Sequence, residues 1–567
     1  MKYLLTTLFI FLLLIIGCGQ KTEQTGDEVT QESEGTELLK EKIAKFAPTE
    51  LKYDASNLDE RQKIVVEKLY RAAKIMDELF LEQVYSKNNE IKAELMILDS
   101  EEAKYQLELF NIMFGPFDRL EHDAPFYGMD KKPAGANYYP EDMTKEEFEQ
   151  WIKDHPEDEK TFTSEFTVIR RDEDPEGTGN LVAIPYNEFY KEKLDEAAKL
   201  LLEAAEYADN KSLKNYLTTR AAAFLSNDYF ESDMAWMDLK DHDIEIVIGP
   251  YEVYEDVLFN YKAAFECFLT IRDIEESEKL EVFKSYLRDM EIHLPIPDEH
   301  KNFERGSESP LAVVNEIFTA GDTKAGVQTL AFNLPNDERV RKVKGSKKVM
   351  LKNVSEAKFN KLLKPIAEII LDDEQLEYVT FNSFFTHTLM HEMSHGIGPG
   401  YITVNGRETE VKKELQETYS TMEECKADIL GIYNNIFMIE KGVFPESFRN
   451  EIWVTALAGV FRSTRFGINE AHGGGEAIIY NFLIEKGGFE FNEETEKVKV
   501  NFEKVEQALE ELATKVLMIQ AKGDYQGAKD LIAKYVVLSP SLKLLQEKLN
   551  VLPVDIKPVY ELEEMYK

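Results

Sequence analysis

The chain has 567 residues, a formal charge of -40 at pH 7 and an isoelectric point near 4.7. That balance excludes nucleic acid as a partner, because Lys and Arg contacts to phosphate supply most of such affinity. Hydrophobic residues make up 43% and aromatic residues 11% of the chain, so a folded body is expected that buries an ample core without disulfides.

At the amino end, Lys2 precedes an apolar run over 4–16, shorter than the roughly twenty residues of a bilayer span and typical of a secretory signal core. The run ends in Ile15-Ile16-Gly17-Cys18, which resembles a bacterial lipobox, in which the cysteine becomes the acylated first residue of the mature chain. Residues 1–17 are expected to be a lipoprotein signal peptide and Cys18 the point of attachment to a lipid bilayer. Residues 18–37 are expected to form a solvated tether, too poor in large apolar side chains over most of its length to fold. The protein is then expected in a bacterial cell envelope, lipid-anchored, facing periplasm or exterior.

Along the body, apolar spacing near 3.6 predicts helices over 59–85, 190–208, 254–275, 357–371, 411–441 and 501–522. Strand-like stretches at 163–170, 181–185, 244–248, 328–332 and 348–351 cluster before about residue 355. Cys267 and Cys425 lie in apolar surroundings and read as packing residues.

The most informative stretch is His391-Glu392-Met393-Ser394-His395. On a helix, residues four apart share a face, so both imidazoles reach one divalent ion while Glu392 addresses a water on it. Gly396, Gly398, Pro399 and Gly400 would end that helix at a cleft. Catalytic zinc wants a third protein ligand and one open position. The following helix offers it in Glu423-Glu424-Cys425-Lys426-Ala427-Asp428, where Glu424 and Asp428 lie on one polar stripe. One of these carboxylates can bind the ion while the other accepts the free imidazole N–H of a ligand histidine. His387, one turn before His391, points away from that ion and reads as packing or support. His122, His155, His242, His293 and His300 lack ligand spacing.

These segments, with Ile248-Gly249-Pro250-Tyr251-Glu252-Val253-Tyr254-Glu255-Asp256, Asn333-Leu334-Pro335-Asn336 and Ala471-His472, resemble the dipeptidyl peptidase III family of zinc peptidases. The order and spacing of the blocks match from about Phe114 to the carboxy-terminal Pro-Val-Tyr segment. The resemblance implies His391, His395 and Glu424 as ligands of one Zn2+ per chain, Glu392 as general base, and Glu423 and Asp428 as carboxylates supporting the ligands. It also implies that Glu252, Asn333 and Asn336 hold the amino end and backbone of a short peptide, and that Tyr254 and His472 steady the tetrahedral intermediate.

The fold it implies is α+β and predominantly helical, with two lobes around a wide cleft. Residues 38–272, joined by about 325–350 and 540–567, would form a mixed lobe with a small β-barrel, and residues 273–540 a mainly helical zinc lobe. The metal motif has the plain five-residue form, similar to a bacterial and plant branch. Where animal members carry an arginine four residues after the position of His472, this chain has Glu476. The expected activity is release of dipeptides from the free amino end of short peptides. The alternatives are a lipoprotein that binds peptides without cutting them and a gluzincin aminopeptidase that removes single residues.

Overall fold

The computed structural model describes residues 27–56, 58–172, 179–303 and 310–566. The signal core, the lipobox and Cys18 lie outside the described residues.

The mixed lobe is organised by the helix Glu60–Val84. Asp59 starts it by accepting from the Arg61 and Gln62 amides, with the Gln62 side chain reaching back to the Asp59 amide. Its buried stripe of Val65, Leu69, Met76 and Phe80 faces a five-stranded sheet. The strands lie in the order Ile244–Glu252, Ala264–Arg272, Leu311–Gly321, Lys347–Leu351, Ala331–Leu334. The first three pair antiparallel, Lys347–Leu351 runs parallel to Leu311–Gly321, and Ala331–Leu334 closes the order antiparallel to Lys347–Leu351. Ala331–Leu334 therefore presents one unpaired backbone edge among the described residues, with Asn333 exposed on it. The chain's end returns to this lobe, where Asp555–Val559 pairs parallel with Phe46–Glu50.

The second lobe is a cluster of helices that includes Phe381–Ser394, Tyr419–Glu440, Phe448–Ser463, Ala471–Lys486 and Val505–Lys522. Trp453, Leu457, Phe461, Ile478, Leu483, Leu512 and Val516 share one buried core. The helix Tyr419–Glu440 is central, touching Phe381–Ser394, Ala471–Lys486 and Val505–Lys522. Two glycines permit these crossings. A Cβ on Gly431 would stand 2.8 Å from the His387 ring and 3.2 Å from the His391 amide, and one on Gly475 would stand 2.9 Å from the Cys425 amide.

The architecture is the expected predominantly helical α+β fold; of the predicted strands, those at 244–248, 328–332 and 348–351 fall in or at the five-stranded sheet, and those at 163–170 and 181–185 pair with each other in a separate hairpin. Local expectations fail in four places. Residues 254–275 are a turn followed by the strand Ala264–Arg272, because a run buried on both faces of a sheet carries the same apolar periodicity as a buried helix. The pattern at 411–441 breaks at Gln416, whose φ of 50° divides Val411–Leu415 from Tyr419–Glu440. Strands also occur beyond residue 355, in the hairpins Tyr401–Val404 with Arg407–Glu410 and Phe489–Asn492 with Lys497–Val500. The stretch expected to be a tether through residue 37 is helical from the start of Asp27–Ala44. Among the described residues no helix is long and apolar enough to cross a membrane.

Candidate metal centre and peptide cleft

The helix Phe381–Ser394 is capped by Thr380, whose hydroxyl accepts from the Ser383 amide, and it ends at His395, just before the glycine-rich turn. His391 and His395 come out side by side, ring centroids 4.9 Å apart and planes nearly perpendicular at 89°. The crossing at Gly431 brings the neighbouring helix against this face. Glu424 Oε2 then lies 3.3 Å from His391 Nε2 and 3.7 Å from His395 Nε2.

One ligand atom from each of His391, His395 and Glu424 falls within 4.8 Å of the others. Donors around one tetrahedral zinc, at bond lengths of roughly 2.0–2.2 Å, stand about 3.4 Å apart, so this set fits the ion. Glu424 Oε2 is also shut off from solvent and accepts no hydrogen bond. Such an oxygen lacks a partner that a cation supplies.

The other ring nitrogens are fixed by carboxylates. His391 Nδ1 donates to Asp428 Oδ1 at 2.6 Å, and His395 Nδ1 donates to Glu423 Oε1 at 3.0 Å. Both imidazoles thereby aim Nε2 at the shared point. Burial would lower the His391 pKa, but the Asp428 charge and hydrogen bond outweigh it and push the pKa well up. A cation at the same place competes with that proton for Nε2. Burial would raise Glu423, yet Lys426 at 2.7 Å and the bond from His395 pull it down to about 2. Gln520 donates to the second Glu423 oxygen at 3.0 Å.

His472 sits in the first turn of Ala471–Lys486, its side chain 64% exposed and its Nδ1 3.1 Å from Glu424 Oε2. His387 Nε2 lies 3.2 Å from the Asp428 carbonyl, in the supporting position expected of it. Cys425 and Cys267 are buried and unbridged.

The residues expected to hold substrate belong to the sheet lobe. Glu252 ends the first strand, where burial raises its pKa against the bond from Asn336 and the charge of Arg341. Asn336 Nδ2 also donates to the Tyr251 carbonyl at 3.1 Å, and Arg341 Nη2 donates to Asn336 Oδ1 at 2.8 Å. Glu252 and Asn336 are thus brought together, and Asn333 stands on the free edge nearby in sequence. Tyr254 lies on the turn after the strand, 73% exposed, and among the described residues no hydrogen bond joins it to the metal cluster.

Three residues absent from the sequence expectations hold the site together. Lys426 donates to the carbonyls of His395 at 3.3 Å and Ile397 at 3.1 Å while pairing with Glu423, so it fixes the end of the histidine helix. Lys348, paired across the sheet with Asn333, donates to the Glu392 carbonyl and stands 3.5 Å from Glu392 Oε2. It joins the two lobes at the proposed base. Gln520 is the third. Only Lys426 left a signal in the sequence, three residues after Glu423 on the same helix.

A helix offering two imidazoles four residues apart, a carboxylate from its neighbour and a glutamate beside them define a metallopeptidase centre. Comparison with known proteins agrees. A model of peptidase family M49 matches residues 173–404. A solved dipeptidyl peptidase III from Caldithrix abyssi is 65% identical, with a TM-score of 0.91 over 93% of this chain and 99% of that one. One from Corallococcus sp. strain EGB is 42% identical, with a TM-score of 0.80 over 94% of this chain and 98% of that one. A plant relative, Nudix hydrolase 3 of Arabidopsis thaliana, is 40% identical over 576 residues, which cover 93% of this chain and 74% of that protein. The chain belongs to peptidase family M49 and is a metallopeptidase.

Proposed function

We propose that the protein is a zinc-dependent dipeptidyl peptidase that removes dipeptides from the free amino end of short peptides. The observation that carries the reading is the convergence of His391, His395 and Glu424, each histidine held by a carboxylate on its far nitrogen. Zinc held by His391, His395 and Glu424 would supply Lewis acidity, polarising the scissile carbonyl and lowering the pKa of water toward neutrality. Glu392 takes the proton from the attacking water and passes it to the leaving amine. His472, poised 3.1 Å from Glu424, and the Tyr254 hydroxyl donate to the oxygen that gains charge. Lys348 holds the Glu392 main chain in place.

The substrate adds a strand to the open edge Ala331–Leu334, with Asn333 and Asn336 on its backbone and Glu252 on its ammonium group. Solved relatives named dipeptidyl peptidase III, matching nearly the whole chain, support dipeptide release. The lipobox-like end supports an envelope protein held to a membrane through acylated Cys18; replacing Cys18 by Ala should move the chain from the membrane to the soluble fraction.

The test is incubation of the purified soluble body with short peptides, with and without chelator, the products read by mass. Stepwise loss of dipeptides from the amino end, abolished by chelator and restored by zinc, is the expected result. Single residues released would make the protein an aminopeptidase instead. Intact peptide with zinc present would leave only a binding protein.

A further inference from the structure

A cavity of about 440 Å³ opens beside the metal cluster, with His391, Glu392 and His472 in its wall but neither Glu252 nor Asn333. Part of its lining is the chain over 327–331, which runs directly into the edge strand Ala331–Leu334. One continuous segment therefore leads from the amino-end residues, past Glu392, into the cavity. A peptide paired to this edge with its amino end at Glu252 runs antiparallel to it. That direction would carry its leaving half past Ala331 toward Leu330 and Thr329, which line the cavity.

Arg462, from the helix Phe448–Ser463, lines this space. Its Nε is closed to solvent and has no hydrogen-bond partner, and among the described residues no carboxylate forms an ion pair with it. Asp555, Glu476 and Asp428 act on it only from longer range. Two of them are otherwise engaged, Asp555 with Lys358 at 2.9 Å and Asp428 with His391 at 2.6 Å, while burial pushes the Glu476 carboxyl well above the usual carboxylate range. An arginine cannot shed its charge as a lysine can, so a cation left this way costs free energy until an anion arrives. The anion a short peptide brings to this end is its own terminal carboxylate.

We propose that Arg462 is the clamp for the free carboxy terminus of the peptide's leaving half, and that it selects short peptides over longer or blocked ones. This rests on the dipeptidyl peptidase reading for the direction of the peptide.

The probes are a tetrapeptide, its carboxy-terminal amide, and an amidated tetrapeptide ending in Glu. Wild type should favour the free acid over the amide by roughly ten- to a hundredfold in kcat/KM, through KM, as expected for a hydrogen bond between charged groups. Arg462→Gln should bring that ratio near one, with Arg462→Lys between the two. Calorimetric binding of the same peptides to Glu392→Gln, alone and combined with Arg462→Gln, should give the same ratios without turnover. A ratio near one in wild type overturns the clamp, as does a ratio that Arg462→Gln leaves intact. Full recovery by the amidated Glu peptide overturns the assignment to the main-chain carboxylate. If no peptide is cut but the acid still binds better than the amide and loses that advantage with Arg462→Gln, the clamp stands and the peptidase reading falls.

Discussion

The metal cluster and the free strand edge hold their polar residues in different ways. In the helical lobe the groups around the metal point are buried or half-buried and tied: His391 to Asp428, His395 to Glu423, and Glu423 in turn to Lys426 and Gln520. In the sheet lobe Asn333 and Tyr254 stand exposed, and the strand that carries Asn333 keeps one backbone edge unpaired. The contrast follows from the work each does. Bond cleavage needs donors and charges fixed before the transition state forms, which rigid helices with saturated partners provide. Recognition of many short peptides needs an edge that any backbone completes.

The largest effect expected is on the tied side. Glu424→Ala leaves two ligands and should lose stoichiometric zinc and all turnover, read by metal analysis and peptide assay; activity with zinc retained would show that another group completes the site. Glu392→Gln should lower kcat roughly a hundred- to ten-thousandfold while zinc stays bound.

Charge buried in the sheet lobe gives a pH test with a definite sign. Burial pushes the Glu316 carboxyl from its ordinary 4.5 up to about 7, against a 2.6 Å bond from the Tyr560 hydroxyl. Between those values the folded chain keeps a proton that the unfolded chain releases. The stability this contributes is whole below about pH 4.5 and is lost as pH rises through about 7, up to about 3 kcal/mol. Denaturant midpoints of Glu316→Gln should therefore fall less than those of wild type between about pH 5 and about 8. Parallel curves would contradict it.

Two smaller effects sharpen the contrast. Glu423→Gln weakens the hold on His395 and should lower zinc affinity about ten- to a hundredfold, by competition with a chromogenic chelator. Asn333→Ala should raise KM about tenfold with little change in kcat, since it removes a contact made equally before and during the reaction. A fall in kcat instead would place Asn333 among the groups that act only in the transition state.

The metal site was legible because its parts lie close in sequence. Helical spacing alone predicted that His391 and His395 share a face and that Glu424 and Asp428 divide the roles of ligand and support. Partners from distant elements left no such trace: Gln520 is 97 residues from Glu423, and Lys348 is 44 residues from Glu392. The misread helix at 254–275 shows the limit of periodicity for a strand buried on both faces. The hairpin through Asn405-Gly406 was legible in principle, since both residues take the positive φ, 52° and 77°, that favours this pair in tight turns. Glu476, noted as standing where animal members carry arginine, proves to be a buried carboxyl beside the cavity that Arg462 lines.

The central claim is that two imidazoles and one carboxylate from crossing helices share a single ion. Anomalous diffraction at the zinc edge from crystals of the purified protein tests it directly. One peak per chain is expected, within bonding distance of His391 Nε2, His395 Nε2 and a Glu424 carboxylate oxygen. A peak elsewhere, or none from zinc-supplemented crystals, would contradict it.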